Sequence, residues 1–309
     1  KWPRNEHDII LVAENDHFVF RPSLLWVPFD HRKAEKITFP LAPQLEQAGI
    51  TYIQSKVVKV MPEEHTVLLQ DKEALPYDYL IVATGGEPDW GRIPGLRGKT
   101  ASLYDLGETS KTAKKIKAIR NGDPVVIGVA QQNPLPSIAY EFLFELDEYF
   151  RDEEIEAPIT FFTYEQHFLE LAGKKVSEIV KKRIMEKRFQ CYCNVRMKRI
   201  SRGHVHLDNG IRLPPYKGAD FILASKQFEH ENGLLKTNEH LQVNGFSNVY
   251  AAGDLVLPQA GYLKNGHSAE LQGRFVAKDI YRRIEGLSEQ PLLKTTSSQH
   301  GNWERKVPC

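Results

Sequence analysis

Residues Tyr77-Asp78-Tyr79-Leu80-Ile81-Val82-Ala83-Thr84-Gly85-Gly86 form an apolar run that ends in small residues. Such a run predicts a buried β-strand that enters a glycine turn. Because the turn Ala83-Thr84-Gly85 carries little side-chain bulk, its backbone can approach a ligand closely. A strand followed by an ordinary glycine turn is the alternative. The sequence Ile93-Pro94-Gly95, which follows shortly, makes the whole string more specific than that alternative.

A second stretch of this kind, Asn248-Val249-Tyr250-Ala251-Ala252-Gly253-Asp254, lies near the end of the chain. Gly253 permits close approach of a ligand, and Asp254 can bind the hydroxyl groups of a sugar or ribityl chain. A helix that begins near Asn265 would direct its free N–H groups at an electron-rich ring edge, where Lys264 would add a charge. Considered alone, Lys264 is equally consistent with a solvated surface residue. We expect the turns at Thr84 and Gly253 to converge on one slot.

The apolar run Asp8–Ala13 predicts a further strand, and it ends at Glu14. An acidic residue that closes the second strand of a nucleotide-binding unit accepts hydrogen bonds from an adenosine ribose. From Glu14 alone, a strand-end carboxylate facing water is the favoured interpretation. Its significance therefore depends on the two strings described above.

Strands alternate with helices along the chain, which predicts an α/β protein with parallel sheets. We expect two Rossmann-like three-layer domains, the second inserted in the first. Their predicted bounds are 1–106 for the first segment of the first domain, 107–236 for the second domain, 237–285 for the return segment and 286–309 for a polar tail. Predicted helices include 37–47, 106–120, 137–151 and 174–187, and the run 189–200 is predicted to pair with 204–207 in a hairpin.

Composition and charge exclude several classes of protein. The chain has 309 residues, a 41% apolar fraction and a net charge of +1, which argues against disorder and against a phosphate-backbone partner. Its apolar runs are of strand length, so no membrane span is predicted. Three cysteines do not make a disulfide framework, and residues 1–15 lack the pattern of a signal peptide. We therefore expect a cytoplasmic protein that binds no nucleic acid.

Taken together, these strings resemble the two-dinucleotide-binding-domain FAD-dependent pyridine nucleotide-disulfide oxidoreductase superfamily, and within it the sulfide:quinone oxidoreductase branch. The branch is indicated by His17-Phe18-Val19-Phe20-Arg21-Pro22-Ser23-Leu24-Leu25-Trp26-Val27 and by Ala139-Tyr140-Glu141-Phe142. The resemblance covers about residues 8–285. It implies an oxidoreductase that passes electrons from sulfide or a related small reductant through FAD to a quinone-type acceptor.

The resemblance also implies a set of cofactor-binding residues. Glu14 would hold the adenosine ribose, and the backbone at Val57 would meet the adenine. Ala83, Thr84 and Gly85 would line the pyrophosphate, and Asp254 would bind the ribityl chain. Lys264 and the helix after it would face the pyrimidine edge of the flavin. The complete implied set is Glu14, Pro22, Val57, Ala83, Thr84, Gly85, Gly253, Asp254, Lys264 and Asn265. Membrane contact is expected to be at most peripheral, at the cytoplasmic face, and a homo-oligomer is possible.

The sequence departs from the family pattern in its glycines. Only seven residues precede the strand that ends at Glu14, whereas the family places a strand and a G-x-G-x-x-G turn there. We expect either a fragment or a member that has lost the usual flavin binding. In the second domain, Val125–Gln132 retains only Gly128, and side chains such as Gln131 would block a pyrophosphate. This argues against NAD(P)H as the donor.

The cysteines depart from the pattern as well. Leu135 and a position near Leu103 stand where the branch has its sulfide-oxidising thiols, so catalytic residues are not assigned. Cys191 and Cys193 share one strand face, and packing is the favoured interpretation. Because no His or Cys pair accompanies them, no metal site is predicted. Two alternatives stay open: an NAD(P)H:quinone-type flavoprotein dehydrogenase, and a non-catalytic truncated scaffold or binding module.

Overall fold

The computed structural model describes residues 6–70, 72–86, 90–97, 100–131, 133, 135–187, 189–213, 221–223, 234–257, 264–288 and 291–293. These residues form two compact units. The first unit contains 6–20, 38–86 and 234–293, and the second contains 21–37 and 90–223. The chain thus leaves the first unit after Gly86, earlier than the predicted boundary at residue 106, and the segment Arg21–Ile37 groups with the second unit.

Fifteen strands and five helices are described. The strands are β1 (Ile10–Ala13), β2 (His17–Val19), β3 (Thr38–Pro40), β4 (Thr51–Gln54), β5 (Val57–Met61), β6 (Thr66–Leu69), β7 (Leu75–Pro76), β8 (Leu80–Val82), β9 (Val125–Val129), β10 (Ile159–Thr163), β11 (Gln190–Tyr192), β12 (Met197–Ser201), β13 (His204–Leu207), β14 (Phe221–Leu223) and β15 (Val249–Ala251). The helices are α1 (Leu41–Ala48), α2 (Leu106–Lys117), α3 (Ser137–Asp152), α4 (Lys174–Glu186) and α5 (Gly266–Ile284). In the part of the chain that the structure covers, no helix is long and apolar enough to cross a membrane.

The first unit is built on two pairs of parallel strands. β1 pairs with β4, with Ile10 opposite Thr51, and β8 pairs with β15, with Leu80 opposite Val249. β5, β6 and β7 form an antiparallel sheet, and β2 and β3 form a two-stranded ribbon. The predicted mixture of helices and parallel strands is therefore confirmed.

Helix α5 is held against β15 by a buried polar cluster. Tyr250 donates a hydrogen bond from its hydroxyl to Oδ2 of Asp279 at 2.8 Å, and Nε of Arg283 donates to the same oxygen at 2.7 Å. Phe275, Val276 and Ile280 pack beside Tyr250 in one apolar core. Since breaking a buried charged pair leaves an uncompensated charge, this cluster fixes the helix relative to the strand.

The second unit contains a parallel four-stranded sheet with the order β11-β10-β9-β14. Every residue of β9 and β10 is buried, which matches their nearly continuous apolar sequences. Helix α3 buries Phe142, Leu143 and Leu146 in the same core. Full burial of one such side chain contributes about 1.5–3 kcal/mol to stability, so this sheet and helix form the most extensive described core.

Two predicted elements differ from the structure. The run 37–47 was expected to be a single helix, but Thr38–Pro40 is strand β3, paired with β2, and the helix begins at Leu41. Pro40 lies at the N-cap, where its fixed φ is compatible with the start of a helix. The run 189–200 was expected to enter one hairpin, but it splits into β11, which joins the parallel sheet, and β12, which pairs with β13.

Gly95 has a structural role that the sequence did not reveal. Its φ is +83°, and a Cβ added to it would lie 2.1 Å from the carbonyl oxygen of Ile200. The neighbouring Pro94 carbonyl accepts a hydrogen bond from the Ile200 amide at 2.8 Å. The glycine therefore allows the 90–97 segment to lie directly on the backbone of β12.

Gly95→Ala should destabilise the protein far more than Gly122→Ala. Both glycines have a φ of +83°, but nothing lies within 4 Å of a Cβ built on Gly122. The left-handed conformation alone costs about 1–2 kcal/mol, whereas the clash at Gly95 adds backbone displacement and a total above about 3 kcal/mol. Urea unfolding of the two variants measures the difference. Equal losses of stability would show that the contact with Ile200 is unimportant.

Candidate functional site

The carboxyl ends of β8 and β15 meet at one edge of the first unit. Val82 lies opposite Ala251, and the amide of Ala252 donates to the Val82 carbonyl at 3.1 Å. Because the strands are parallel, the turns that follow them leave the sheet at the same edge, which is where open α/β sheets bind ligands. The turns at Thr84 and Gly253 are therefore neighbours, as the sequence predicted.

The turn after β8 has accessible backbone. Ala83 and Thr84 are exposed, and Gly85 adopts a φ of +70°. Among the described residues, no atom lies within 4 Å of a Cβ built on Gly85, so none of them fills the space above this glycine. A turn of this kind can present its backbone to a phosphate or sugar without displacing a side chain.

The backbone conformation of the turn after β15 requires a glycine at position 253. The φ of Gly253 is +79°, and a built Cβ would make only an ordinary contact, at 3.5 Å, with the Cβ of Ala269. Its amide donates to Oε1 of the buried Gln272 at 2.7 Å. Gln272 positions this turn from the inner face of α5, and the sequence gave no indication of it, because a glutamine in a helix is ordinary.

Helix α5 begins at Gly266, as predicted. The side chain of Asn265 is its N-cap and accepts a hydrogen bond from the Ser268 amide at 2.8 Å. Lys264 donates from Nζ to the carbonyl oxygens of Asp254, at 2.5 Å, and of Val256. Burial lowers the pKa of Lys264. The ammonium group of Lys264 therefore stabilises the turn after β15. Lys264 also lies one residue before Asn265, the N-cap of α5.

The other predicted site residues lie on separate elements. Glu14 follows β1 and Val57 opens β5, and both are exposed residues of the first unit. Pro22 belongs to the second unit, in the short 3₁₀ helix Arg21–Trp26. Residues 261–263, which directly precede Lys264 in the sequence, lie outside the described part of the chain. The structure therefore brings together Ala83–Gly85, Gly253, Asp254, Lys264 and Asn265.

Comparison with known proteins identifies the class. The family model described as "Pyridine nucleotide-disulphide oxidoreductase" matches residues 2–273, and the chain belongs to this family. The predicted Rossmann-like α/β fold is confirmed by this membership. The chain is similar to the sulfide:quinone oxidoreductase of Aquifex aeolicus, whose solved structure has a TM-score of 0.83 and 25% identity and covers 90% of this chain and 71% of its own.

Curated relatives extend the comparison. "Sulfide-quinone reductase" of Aquifex aeolicus is 26% identical over 79% of this chain and 61% of the relative. "Probable NADH dehydrogenase" of Dictyostelium discoideum is 22% identical over 93% of this chain and 70% of the relative. The chain thus spans about three fifths of the length of the Aquifex protein. The relatives support the sulfide:quinone branch that the sequence motifs indicated.

In the second unit, side chains of the protein pack at the carboxyl end of β9, where a dinucleotide would bind in a domain of this type. A Cβ added to Gly128 would lie 2.1 Å from Cζ of Phe162, so this glycine makes room for a ring on the neighbouring strand β10. Gln131 forms two hydrogen bonds with the backbone of Met197, each 3.1 Å long. Gly128 is thus explained by core packing, and Gln131 by a contact with β12.

A buried carboxyl group occupies the end of β10. Oε2 of Glu165 accepts hydrogen bonds from the hydroxyls of Tyr140, at 2.6 Å, and Thr163, at 2.9 Å. Glu165 is 1% exposed, and within the described residues its Oε1 has no hydrogen-bond partner. An acid after this strand would hold a ribose in a dinucleotide site, but Glu165 faces protein groups instead. Sequence inspection missed it, although an acid two residues after an apolar strand is a detectable signal.

The two positions that the sequence analysis matched to the branch's thiols, Leu135 and the position near Leu103, are apolar. Leu103 is buried and Leu135 is half-buried. Cys191, on β11, is a free thiol packed beside the second unit's core, and burial raises its pKa to about 12. Because the thiolate is the reactive form, Cys191 is held in its unreactive state, which agrees with the packing interpretation. Cys309 lies outside the described residues.

Glu165→Gln should change how stability depends on pH. Burial raises the pKa of Glu165 in the folded state, despite the bonds from Tyr140 and Thr163 that oppose this. A carboxyl group with a raised pKa in the folded state contributes to stability when pH is below its pKa in the unfolded state. This contribution to the free energy of unfolding is lost as pH rises through the pKa of the folded state. The free energy of unfolding of the wild type, relative to that of Glu165→Gln, should therefore fall as pH rises above about 4.5, which is the pKa of a glutamate side chain in the unfolded chain.

Urea unfolding at a series of pH values measures this difference. The exposed Glu153, also in the second unit, provides a matched control, because Glu153→Gln removes a carboxyl group that is not buried. Parallel pH profiles for the wild type and Glu165→Gln would contradict a neutral buried carboxyl group at this site.

Proposed function

We propose that this protein is an FAD-dependent oxidoreductase that passes electrons from a small reductant to a quinone-type acceptor. The observation that carries the proposal is the shared edge of β8 and β15, where the open backbone at Gly85 lies beside the turn at Gly253. The similarity to "Sulfide-quinone reductase" supports a quinone acceptor. FAD, when bound, supplies the reversible acceptance of two electrons between donor and acceptor.

The chemistry of this edge fits a flavin nucleotide. Ala83, Thr84 and Gly85 would line the pyrophosphate, since no side chain of the residues that the structure describes covers the Gly85 backbone. Asp254 would bind ribityl hydroxyls. The capped start of α5, with the charge of Lys264 before it, would stabilise electron density at the pyrimidine edge of the ring.

Three further assignments depend on the family resemblance together with position. Glu14 would hold the adenosine ribose, because its carboxylate is exposed at the end of a parallel strand. Val57 would meet the adenine through its backbone. Pro22 is assigned from its motif alone.

The donor is proposed to be a small molecule that reacts without a thiol of the protein and without a bound nicotinamide. Leucines replace the thiols, and Cys191 is buried with a raised pKa. The strand edge that would take a nicotinamide dinucleotide has Phe162 against Gly128 and Gln131 on the β12 backbone. These contacts argue against the NAD(P)H-dependent alternative, although one relative is named a probable NADH dehydrogenase.

We further propose that the protein acts in the cytoplasm. A quinone acceptor is apolar, so electron delivery would require at most peripheral contact with the cytoplasmic face of the membrane. No nucleic acid and no metal ion takes part in this proposal.

Gly85→Ala should weaken FAD binding by about tenfold or more, because the added Cβ would occupy the space above the turn. Gly245→Ala is the matched control: Gly245 belongs to the same unit, has a φ of +93° and also has no atom within 4 Å of a built Cβ. Titration of the purified protein with FAD, followed by flavin fluorescence, measures both affinities. No saturable binding by the wild type, or equal weakening in the two variants, would contradict the proposed site.

The donor is tested on the FAD-loaded protein under anaerobic conditions. Sulfide should bleach the visible flavin absorption faster than NADH at equal concentration, because two hydrosulfide ions can give two electrons to the flavin and leave as hydrogen disulfide (HSS⁻). A short-chain quinone should then take up the two electrons and restore the absorption. Cys191→Ser should change the bleaching rate by less than about twofold, because the buried thiol is not the nucleophile. Faster bleaching by NADH would favour the NAD(P)H:quinone alternative, and bleaching by neither reagent would favour a non-catalytic scaffold.

A further inference from the structure

The β12–β13 hairpin of the second unit carries cationic side chains in a single row. Arg199 on β12 is directly opposite His206 on β13, and an antiparallel bridge places His206 opposite Arg212. Directly opposite residues in an antiparallel pair project from the same face and have Cβ atoms about 4.5–5.5 Å apart. Arg199, His206 and Arg212 are called here the cationic row.

The cationic row lies on the solvent face of the hairpin. The residues that alternate with it, Ile200, Val205, Leu207 and Leu213, are buried in one apolar core. Arg199 and Arg212 are exposed and His206 is half-buried. Since the core holds the opposite face, the register cannot shift without exposing these four apolar side chains. The fold therefore fixes the backbone positions of Arg199, His206 and Arg212 relative to one another.

No carboxylate compensates the row within the described part of the chain. Arg151, Arg183, Arg274 and Arg283 each form an ion pair with an acidic side chain, whereas Arg199 and Arg212 form none with any described residue. The two arginines flank His206, so two like charges lie near one another on this face. Since neither forms an ion pair with a described residue, their mutual repulsion has an energetic cost in the ligand-free protein.

Hydrogen bonds hold both imidazole rings of this face. Nε2 of His206 lies 2.8 Å from the Ser201 hydroxyl, and Nδ1 of His204 lies 2.7 Å from the Leu213 carbonyl. Burial lowers the pKa of His206, and the nearby charges of Arg199, Arg212 and His204 lower it further. The charges are therefore close enough to act on one another, so they can act together on a ligand.

We propose that the cationic row binds a phosphate-type oxyanion from solution. Arg199 and Arg212 flank β13, and their guanidinium groups can each donate two parallel hydrogen bonds to a tetrahedral oxyanion. Charge-assisted bonds of this kind are about twice as strong as neutral ones. A bound anion would also remove the repulsion within the row. This site lies on the hairpin of the second unit and is independent of the FAD site proposed for the first unit.

The experiment is a titration of the full chain with inorganic phosphate, followed by NMR of the His206 ring. Sodium chloride keeps the ionic strength constant, and His206→Gln assigns the resonance. Phosphate should shift the resonance saturably and raise the pKa of His206, because an adjacent anion favours the imidazolium form. Arg199→Gln and Arg212→Gln should each weaken binding by about tenfold or more.

Arg196→Gln is the matched control, because Arg196 is exposed, precedes β12 and lies outside the cationic row. It should leave the affinity within about twofold of wild type, whereas a diffuse electrostatic effect would weaken binding equally at Arg196 and Arg199. Arg199→Lys keeps the charge and should still weaken binding, since lysine lacks the planar fork. An unsaturable shift, or equal losses at Arg196 and Arg199, would overturn the proposal.

Discussion

The parallel pairing of β8 with β15 is the constraint on which the candidate site depends. Three opposed residue pairs and the bond from Ala252 to Val82 bring a turn from the middle of the chain beside a turn from near its end. The buried cluster of Tyr250, Asp279 and Arg283 then fixes α5 against the same strand. Without this pairing, the small residues after each strand would be unrelated glycine turns.

The two units use glycine in opposite ways, in the turn after β8 and within strand β9. At Gly85 the space of the missing side chain is open, whereas at Gly128 the ring of Phe162 fills it. The acids differ in the same sense, because Glu14 is exposed after β1 and Glu165 is buried after β10, bonded to Tyr140 and Thr163. The first unit therefore has the features of a ligand-binding edge, whereas in the second unit the glycine and the acidic residue are packed in the protein interior.

Much of this arrangement could be predicted from sequence, because apolar runs and glycine stops are local signals. The strand ends before Glu14 and Thr84, the stop of α1 at Gly49 and the start of α5 after Asn265 are of this kind. What could not be predicted depends on residues far apart in sequence. The contact of Gly95 with Ile200 and the bond from Gly253 to Gln272 appear only when the chain is folded. Strand β3 was missed because three residues ending in proline carry too little periodicity to be distinguished from a helix start.

One cofactor should occupy the edge of the first unit, and none should occupy the end of β9 in the second unit. Hydrogen–deuterium exchange with and without FAD distinguishes the two places. Addition of FAD should slow the exchange of the amides at 83–86 and 254–257 and leave the exchange at 130–136 unchanged. Unchanged exchange at 83–86, or protection appearing at 130–136 instead, would contradict this assignment.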